Sequence, residues 1–213
     1  MTHNTRASFA AVAIALIVVA CSGGDATPSS SGTANGCPTS QPAAAAAGTT
    51  RDVTMVTSKG TIVLRLSADL SPIAVGNFLA LVDCGYYNGV IFHRIAYMQD
   101  GTPFVIQGGD PQGTGMGGPG YSIKDEPVIG SYQRGTLAMA RTAAPDSQGS
   151  QFFIVLDDAA AGPLESARTY AILGEVVSGL DVVDVIAAVE RDSGDRPIDP
   201  VTIISATSGP SAP

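Results

Sequence analysis

Histidine and cysteine are scarce, two and three among 213 residues, and His3 and Cys21 both fall within the first 21 positions. The remainder cannot assemble the multi-ligand His or Cys set of a zinc site, so no metal is expected. Lysine is confined to Lys59 and Lys124, and 19 acidic residues against 11 basic ones give a formal net charge of −8. That balance argues against the basic face that binds nucleic acid by releasing counterions, and against a polybasic patch for anionic lipid. No nucleic-acid partner is expected. The repeating βαβ pattern of a doubly wound sheet is also missing. The formal GxGxxG match at Gly113, Gly115 and Gly118 is followed by Pro119-Gly120-Tyr121 rather than by a helix start. It therefore reads as a tight irregular loop bordering a site, not as a dinucleotide cradle.

What is present divides the chain. Residues 1–20 carry a basic start and the apolar run Ala7 to Ala20, too short to span a bilayer comfortably. The run ends Val18-Val19-Ala20-Cys21, which resembles the lipobox of bacterial lipoproteins, with lipidation expected at Cys21. The competing reading is an ordinary secretory signal with an incidental cysteine. Both place the protein outside the cytoplasm, and the first anchors it to the bacterial cell membrane by acyl chains. Residues 21–50, rich in Ser, Gly, Ala, Thr and Pro, predict a disordered tether. Export permits a disulfide between Cys37 and Cys84, while two free thiols fit the sequence equally well.

Residues 51–206 form the expected single domain, and 207–213 a disordered tail. With 45% hydrophobic residues, 25 Gly and 14 Pro, the composition leans towards β structure. Val53 to Thr57 and Thr61 to Leu66 flank Ser58-Lys59-Gly60, a hairpin signal. Ser71-Pro72 reads as N-cap and first helical residue of a helix reaching Cys84-Gly85, and a second helix is expected at Leu180 to Val189. Further strands are expected at Val90 to Ile95, Phe104 to Gln107, Thr136 to Ala140, Gln151 to Leu156, Tyr170 to Val176 and Pro200 to Ala206. This pattern suits a mainly β fold, a closed antiparallel barrel capped by two helices. In Ile91-Phe92-His93-Arg94-Ile95, strand alternation places His93 on the core side with Ile91 and Ile95, satisfied by a hydrogen bond. Asp157-Asp158 reads as a solvated turn.

Four ordered blocks carry a resemblance: Phe92-His93-Arg94, Phe104-Val-Ile-Gln-Gly-Gly-Asp110, Leu137-Ala-Met-Ala-Arg141 and Gly149-Ser-Gln-Phe-Phe-Ile154. They resemble the signature of cyclophilin-type peptidyl-prolyl isomerases, over roughly residues 51 to 206. The resemblance implies an eight-stranded antiparallel barrel capped by two helices, no cofactor, and proline-containing peptides as substrates. Arg94 matches the catalytic arginine. Phe104, Val105, Gln107, Gln151 and Phe153 match residues that line the proline pocket and hold the peptide backbone. Ala140 and Arg141 fall on the edge segment that hydrogen-bonds the peptide, Tyr170 and Leu164 on the pocket wall, and Gly115 is grouped with the substrate-binding set at its border. Ala96 to Pro103 contains an insertion relative to the commoner spacing, expected at the rim of the pocket. The chain lacks the tryptophan of many cyclosporin-sensitive members, which implies weak cyclosporin binding. The expected function is isomerisation of X-Pro bonds in exported, unfolded proteins by a lipid-anchored monomer. The alternative is a membrane-anchored proline-peptide binding module or holdase with little turnover; a lipid-anchored solute receptor is a weaker third reading.

Overall fold

The computed structural model describes Met1, residues 33–34 and residues 36–212. Two short strands, β1 (Thr33–Ala34) and β2 (Cys37–Pro38), pair with each other. The hairpin signal at Ser58-Lys59-Gly60 joins β3 (Thr50–Thr57) to β4 (Gly60–Ser67), paired antiparallel from Thr50↔Ser67 to Thr57↔Gly60. Helix α1 (Pro72–Asp83) follows, then β5 (Ile91–Tyr97), β6 (Pro103–Asp110), β7 (Thr136–Met139) and β8 (Phe152–Val155). A short helix α2 (Ala161–Ala167), β9 (Ile172–Ser178), helix α3 (Leu180–Ala187) and β10 (Val201–Ala212) complete the domain. The barrel is closed and antiparallel, in the order β10-β3-β4-β9-β7-β8-β6-β5. The expected eight-stranded barrel is therefore the observed one, with α2 as an additional short helix.

Alternation along the strands separates two cores. Ile106, Leu137, Met139, Phe152 and Ile154 join the barrel interior with Phe78 of α1, while Val105, Ala138, Phe153 and Val155 join a second apolar cluster with Tyr132, Leu164 and Ile172. Successive strand residues point to opposite faces, so one stretch of sequence builds the core and, on its reverse side, the floor of a site.

Several expectations are corrected by the structure. Alternation fails at His93: Ile91 opposes Asp110, Phe92 opposes Gly108 and Arg94 opposes Gln107, with irregular register between these pairs. This bulge adds a residue to the strand and places Phe92, rather than His93, in the barrel core with Ile95. His93 is still buried, but among the described residues neither ring nitrogen has a hydrogen-bond partner. Ser71 does not cap α1 with its side chain, since its hydroxyl donates to Leu70 O at 2.8 Å. Glu126 takes that role, accepting from the amides of Ile73 at 2.8 Å and Ala74 at 2.9 Å.

The expected tether and tail are corrected too. The described residues 36–49 lie ordered on the domain, fastened by a Cys37–Cys84 disulfide with Cα atoms 5.1 Å apart. Ala45 N–H donates to Pro72 O at 2.9 Å and Gly48 N–H to Asp69 Oδ1 at 2.8 Å. The segment has no large side chain to bury, and that is why it can approach closely: a Cβ on Gly76 of α1 would lie 2.4 Å from Ala43 O. At the other end, residues 207–212 continue β10, pairing Thr207 with Thr54 and Ala212 with Thr50. The backbone groups of β3 need partners on that side, and the expected tail supplies them. Cys21, residues 2–20 of the expected signal, and residues 22–32 and 35 of the expected tether lie outside the described residues.

Candidate active site

Strand register assembles the site. Arg94 on β5 opposes Gln107 on β6, which opposes Phe153 on β8, which opposes Ala138 on β7, while Ala96, Val105 and Val155 form the neighbouring row. Arg94, Phe104, Val105, Gln107, Ala140, Arg141, Phe153, Leu164 and Tyr170 together line a cavity of about 150 Å³ on the outer face of the barrel. Phe153 and Tyr170 meet edge to face with centroids 5.4 Å apart, an arrangement that fixes both rings.

Gln151 and Gly115 belong instead to an adjoining cavity of about 390 Å³, which Gln107, Ala140 and Arg141 also border. Gln107 joins the two: its Nε2 donates to Gln151 Oε1 at 2.9 Å, and its Oε1 accepts from Arg94 Nη1 at 3.5 Å. Gln151 Nε2 in turn donates to Gly115 O at 3.0 Å and Gly117 O at 2.9 Å. Each amide is thereby held in one orientation.

Arg141 is committed elsewhere. Its guanidinium pairs with Asp125 at 3.0 Å and donates to the carbonyls of Thr142, Thr169 and Ala144. It fastens loops beside the site, and only its backbone remains to meet a ligand. None of the residues Ala96 to Pro103 lines the smaller cavity. The insertion prolongs the β5–β6 hairpin, and Tyr97 secures it to α3 by donating to Ala187 O at 3.0 Å.

The glycine-rich segment is folded by Asp110, a residue to which sequence reading assigned no role. Its carboxylate accepts from the amides of Gln112 (2.8 Å), Thr114 (2.8 Å), Gly115 (2.6 Å) and Gly117 (3.1 Å), and from the Thr114 hydroxyl. Burial pushes its pKa up, but these amides outweigh burial and hold it below the ordinary value. An aspartate entering a run of glycines is the local signal that could have found it. Beside the segment, burial holds the His93 pKa below its ordinary value. At Gly109 a side chain is impossible: φ is 90° and a Cβ would lie 2.3 Å from Ser150 O. Ser150 Oγ donates to Gly109 O and Tyr87 Oη to Ser150 O, which fixes the approach to Gln151.

The arrangement offers a cationic fork beside an apolar hollow of side-chain size, with no second titratable group in the lining apart from Tyr170 and Arg141. It suits binding and polarising a neutral amide better than bond cleavage, which requires a nucleophile and a base.

Comparison with known proteins follows the same lines. Residues 52–208 match the family model described as cyclophilin type peptidyl-prolyl cis-trans isomerase. Peptidyl-prolyl cis-trans isomerase ppi1 of Schizosaccharomyces pombe is 43% identical over 162 residues, covering 74% of this chain and 98% of the relative. Human peptidyl-prolyl cis-trans isomerase-like 1 is 44% identical over 160 residues, covering 73% and 90%. A crystal structure of a Cryptosporidium parvum cyclophilin type isomerase, obtained in the presence of the dipeptide Ala-Pro, superposes with a TM-score of 0.65. It is 33% identical, and the match covers 73% of this chain and 97% of that one.

Proposed function

The chain belongs to the cyclophilin-type peptidyl-prolyl cis-trans isomerase family, and on that basis we propose that Arg94 is its catalytic residue, acting on X-Pro bonds of exported proteins. Rotation about such a bond breaks amide conjugation against a barrier of ~18–20 kcal/mol. In the twisted state the prolyl nitrogen regains a lone pair, and a fixed donor stabilises that state more than either planar isomer. Arginine stays protonated and presents a rigid fork, so it can hold the preceding carbonyl and reach the nitrogen.

Magnitudes show what the rest of the site must add. An acceleration of ~10⁵-fold requires about 7 kcal/mol. One preorganised donor supplies about 2.7–4 kcal/mol. The remainder comes from gripping the ring against Phe104, Val105, Phe153, Leu164 and Tyr170 while Gln107, Gln151 and the backbone near Ala140 hold the peptide. Without that grip the peptide would turn as a whole.

The observation that carries this reading is Arg94 at the edge of an apolar hollow lined by Phe104, Val105 and Phe153. The test is a protease-coupled or exchange-NMR assay on short X-Pro peptides. Arg94→Ala should lower kcat/KM by about 10²–10³-fold with folding intact. A variant as active as wild type would overturn the assignment.

The site of action is proposed as extracytoplasmic, with a lipid anchor at Cys21. The Cys37–Cys84 bridge supports an oxidising compartment, and the lipobox-like Val18-Val19-Ala20-Cys21 supports the anchor. Cys21→Ser should release the protein from membranes; a variant that stays bound would refute the anchor. The closed barrel leaves no strand edge for a second copy, in keeping with a monomer.

A further inference from the structure

Asp195 occupies a backbone conformation that favours glycine, with φ at 66°. It closes a tight turn after α3. Asp192 Oδ1 accepts from the amides of Gly194 at 2.8 Å and Arg196 at 3.0 Å, and Asp195 N–H donates to Asp192 O at 3.2 Å. The turn is fixed to the strand that carries Arg94, because Ile95 N–H donates to Asp195 O at 2.7 Å. Backbone and side chain thus address neighbouring residues of one strand.

The carboxylate meets two guanidinium groups. Oδ2 lies 3.5 Å from Arg94 Nε, and Oδ1 lies 3.9 Å from Arg191 Nε. Arg191 is itself held against the Tyr97 ring, its guanidinium carbon 3.9 Å from the centroid. Gln107 contacts a different nitrogen of Arg94, Nη1, at 3.5 Å. Among the described residues Nη2 has no hydrogen-bond partner. The Arg94 side chain is 43% exposed, so few packing contacts restrain it and polar contacts must aim it.

We propose that Asp195 is a positioning residue for Arg94: it holds the Nε side while Gln107 holds Nη1, so that Nη2 is the nitrogen offered to the prolyl amide. This rests on the assignment of Arg94 as the group that meets that amide. It accounts for an aspartate in a glycine-favouring position, since glycine would complete the turn and leave Nε unpaired.

Two substitutions keep the backbone. Asp195→Gly adopts this φ freely, and Asp195→Asn tolerates it while losing only the charge. In full-length protein, Asp195→Gly should lower kcat by about five- to tenfold with KM within about twofold, and Asp195→Asn should fall between it and wild type. The thermal midpoint should stay near wild type in both. Solvent exchange of the Arg94 Nε–H, read by ¹⁵N NMR, should quicken in the glycine variant. Unchanged kcat and unchanged exchange in both variants would overturn the proposal, as would a loss confined to KM. Wild-type protein without turnover would instead defeat the assignment of Arg94. The exchange measurement would then still decide whether Asp195 immobilises the guanidinium.

Discussion

Gln107 and Gln151 are bound amide to amide across β6 and the start of β8, Nε2 to Oε1 at 2.9 Å. The bond connects the smaller cavity to the larger, because Gln107 borders both and Gln151 holds Gly115 O and Gly117 O. Gln151→Leu removes the acceptor of Gln107 and the donor of two carbonyls. It should cost about 1–3 kcal/mol in denaturant unfolding, as expected when partly buried polar groups lose partners. The X-Pro assay should show a fall in kcat/KM of about tenfold, because Gln107 no longer presents Oε1 to Arg94 in one orientation.

The disulfide closes a loop of 47 residues in sequence separation. Constraining the unfolded chain over such a loop stabilises by about 2–4 kcal/mol. Reduction, or the double variant Cys37→Ser with Cys84→Ser, should lower the thermal midpoint by roughly 5–15 °C. Neither cysteine lines either cavity, so turnover well below the midpoint should persist.

Gly76→Ala opposes two effects in one substitution. Alanine in a helix interior is favoured over glycine by about 1 kcal/mol. Its Cβ would meet Ala43 O at 2.4 Å and Ala45 N at 2.8 Å, both backbone atoms of the segment lying on α1. Backbone has less freedom to yield than a side-chain tip, so the clash prevails. A net destabilisation of about 1–3 kcal/mol is expected by chemical denaturation. Faster amide exchange over residues 43–48 would locate its cause.

Acid should weaken the domain in two separable stages. His93 is held low in the fold, so the unfolded chain takes up the proton first, and its contribution to stability declines as pH falls below 6.5, the ordinary value. Asp110 is also held low, so its contribution is complete above the ordinary carboxyl value of 3.8 and is lost as pH falls through the lower folded value. Unfolding free energy measured against pH should show both declines. Asp110→Asn should remove the more acidic decline and deepen the His93 one, because the Asp110 charge raises the His93 pKa, and it should lower stability at neutral pH by withdrawing an acceptor from the loop amides.

Much of the barrel was legible because its strands alternate apolar and polar residues between clear turn signals, and α1 because its apolar residues recur at helical spacing after a proline. The misses have local physical reasons. A bulge changes register without changing composition, so Ile91 to Ile95 concealed which residue enters the core. Residues 37–49 looked unstructured because they lack bulk, yet small residues are what a backbone needs to lie against Gly76. Helix α2 begins Ala161-Gly162-Pro163, residues of mixed helical propensity that announce no helix, and it is not among the elements the sequence predicts. The cysteine pairing required geometry that spacing does not contain. At the site, ordered motifs located Arg94, Gln107 and Phe153, whereas Asp195 lies about a hundred residues further along with no local pattern linking it to Arg94. Arg141 carried no sign that its charge would be used on loops.

The last strand of the barrel returns to the first, with Ala212 opposite Thr50. Anything fused to the carboxyl end would therefore emerge beside the point where the amino-terminal segment enters. A circularly permuted barrel that joins Ala212 to Thr50 by a short linker and opens at the β5–β6 turn would keep the strand order around the barrel.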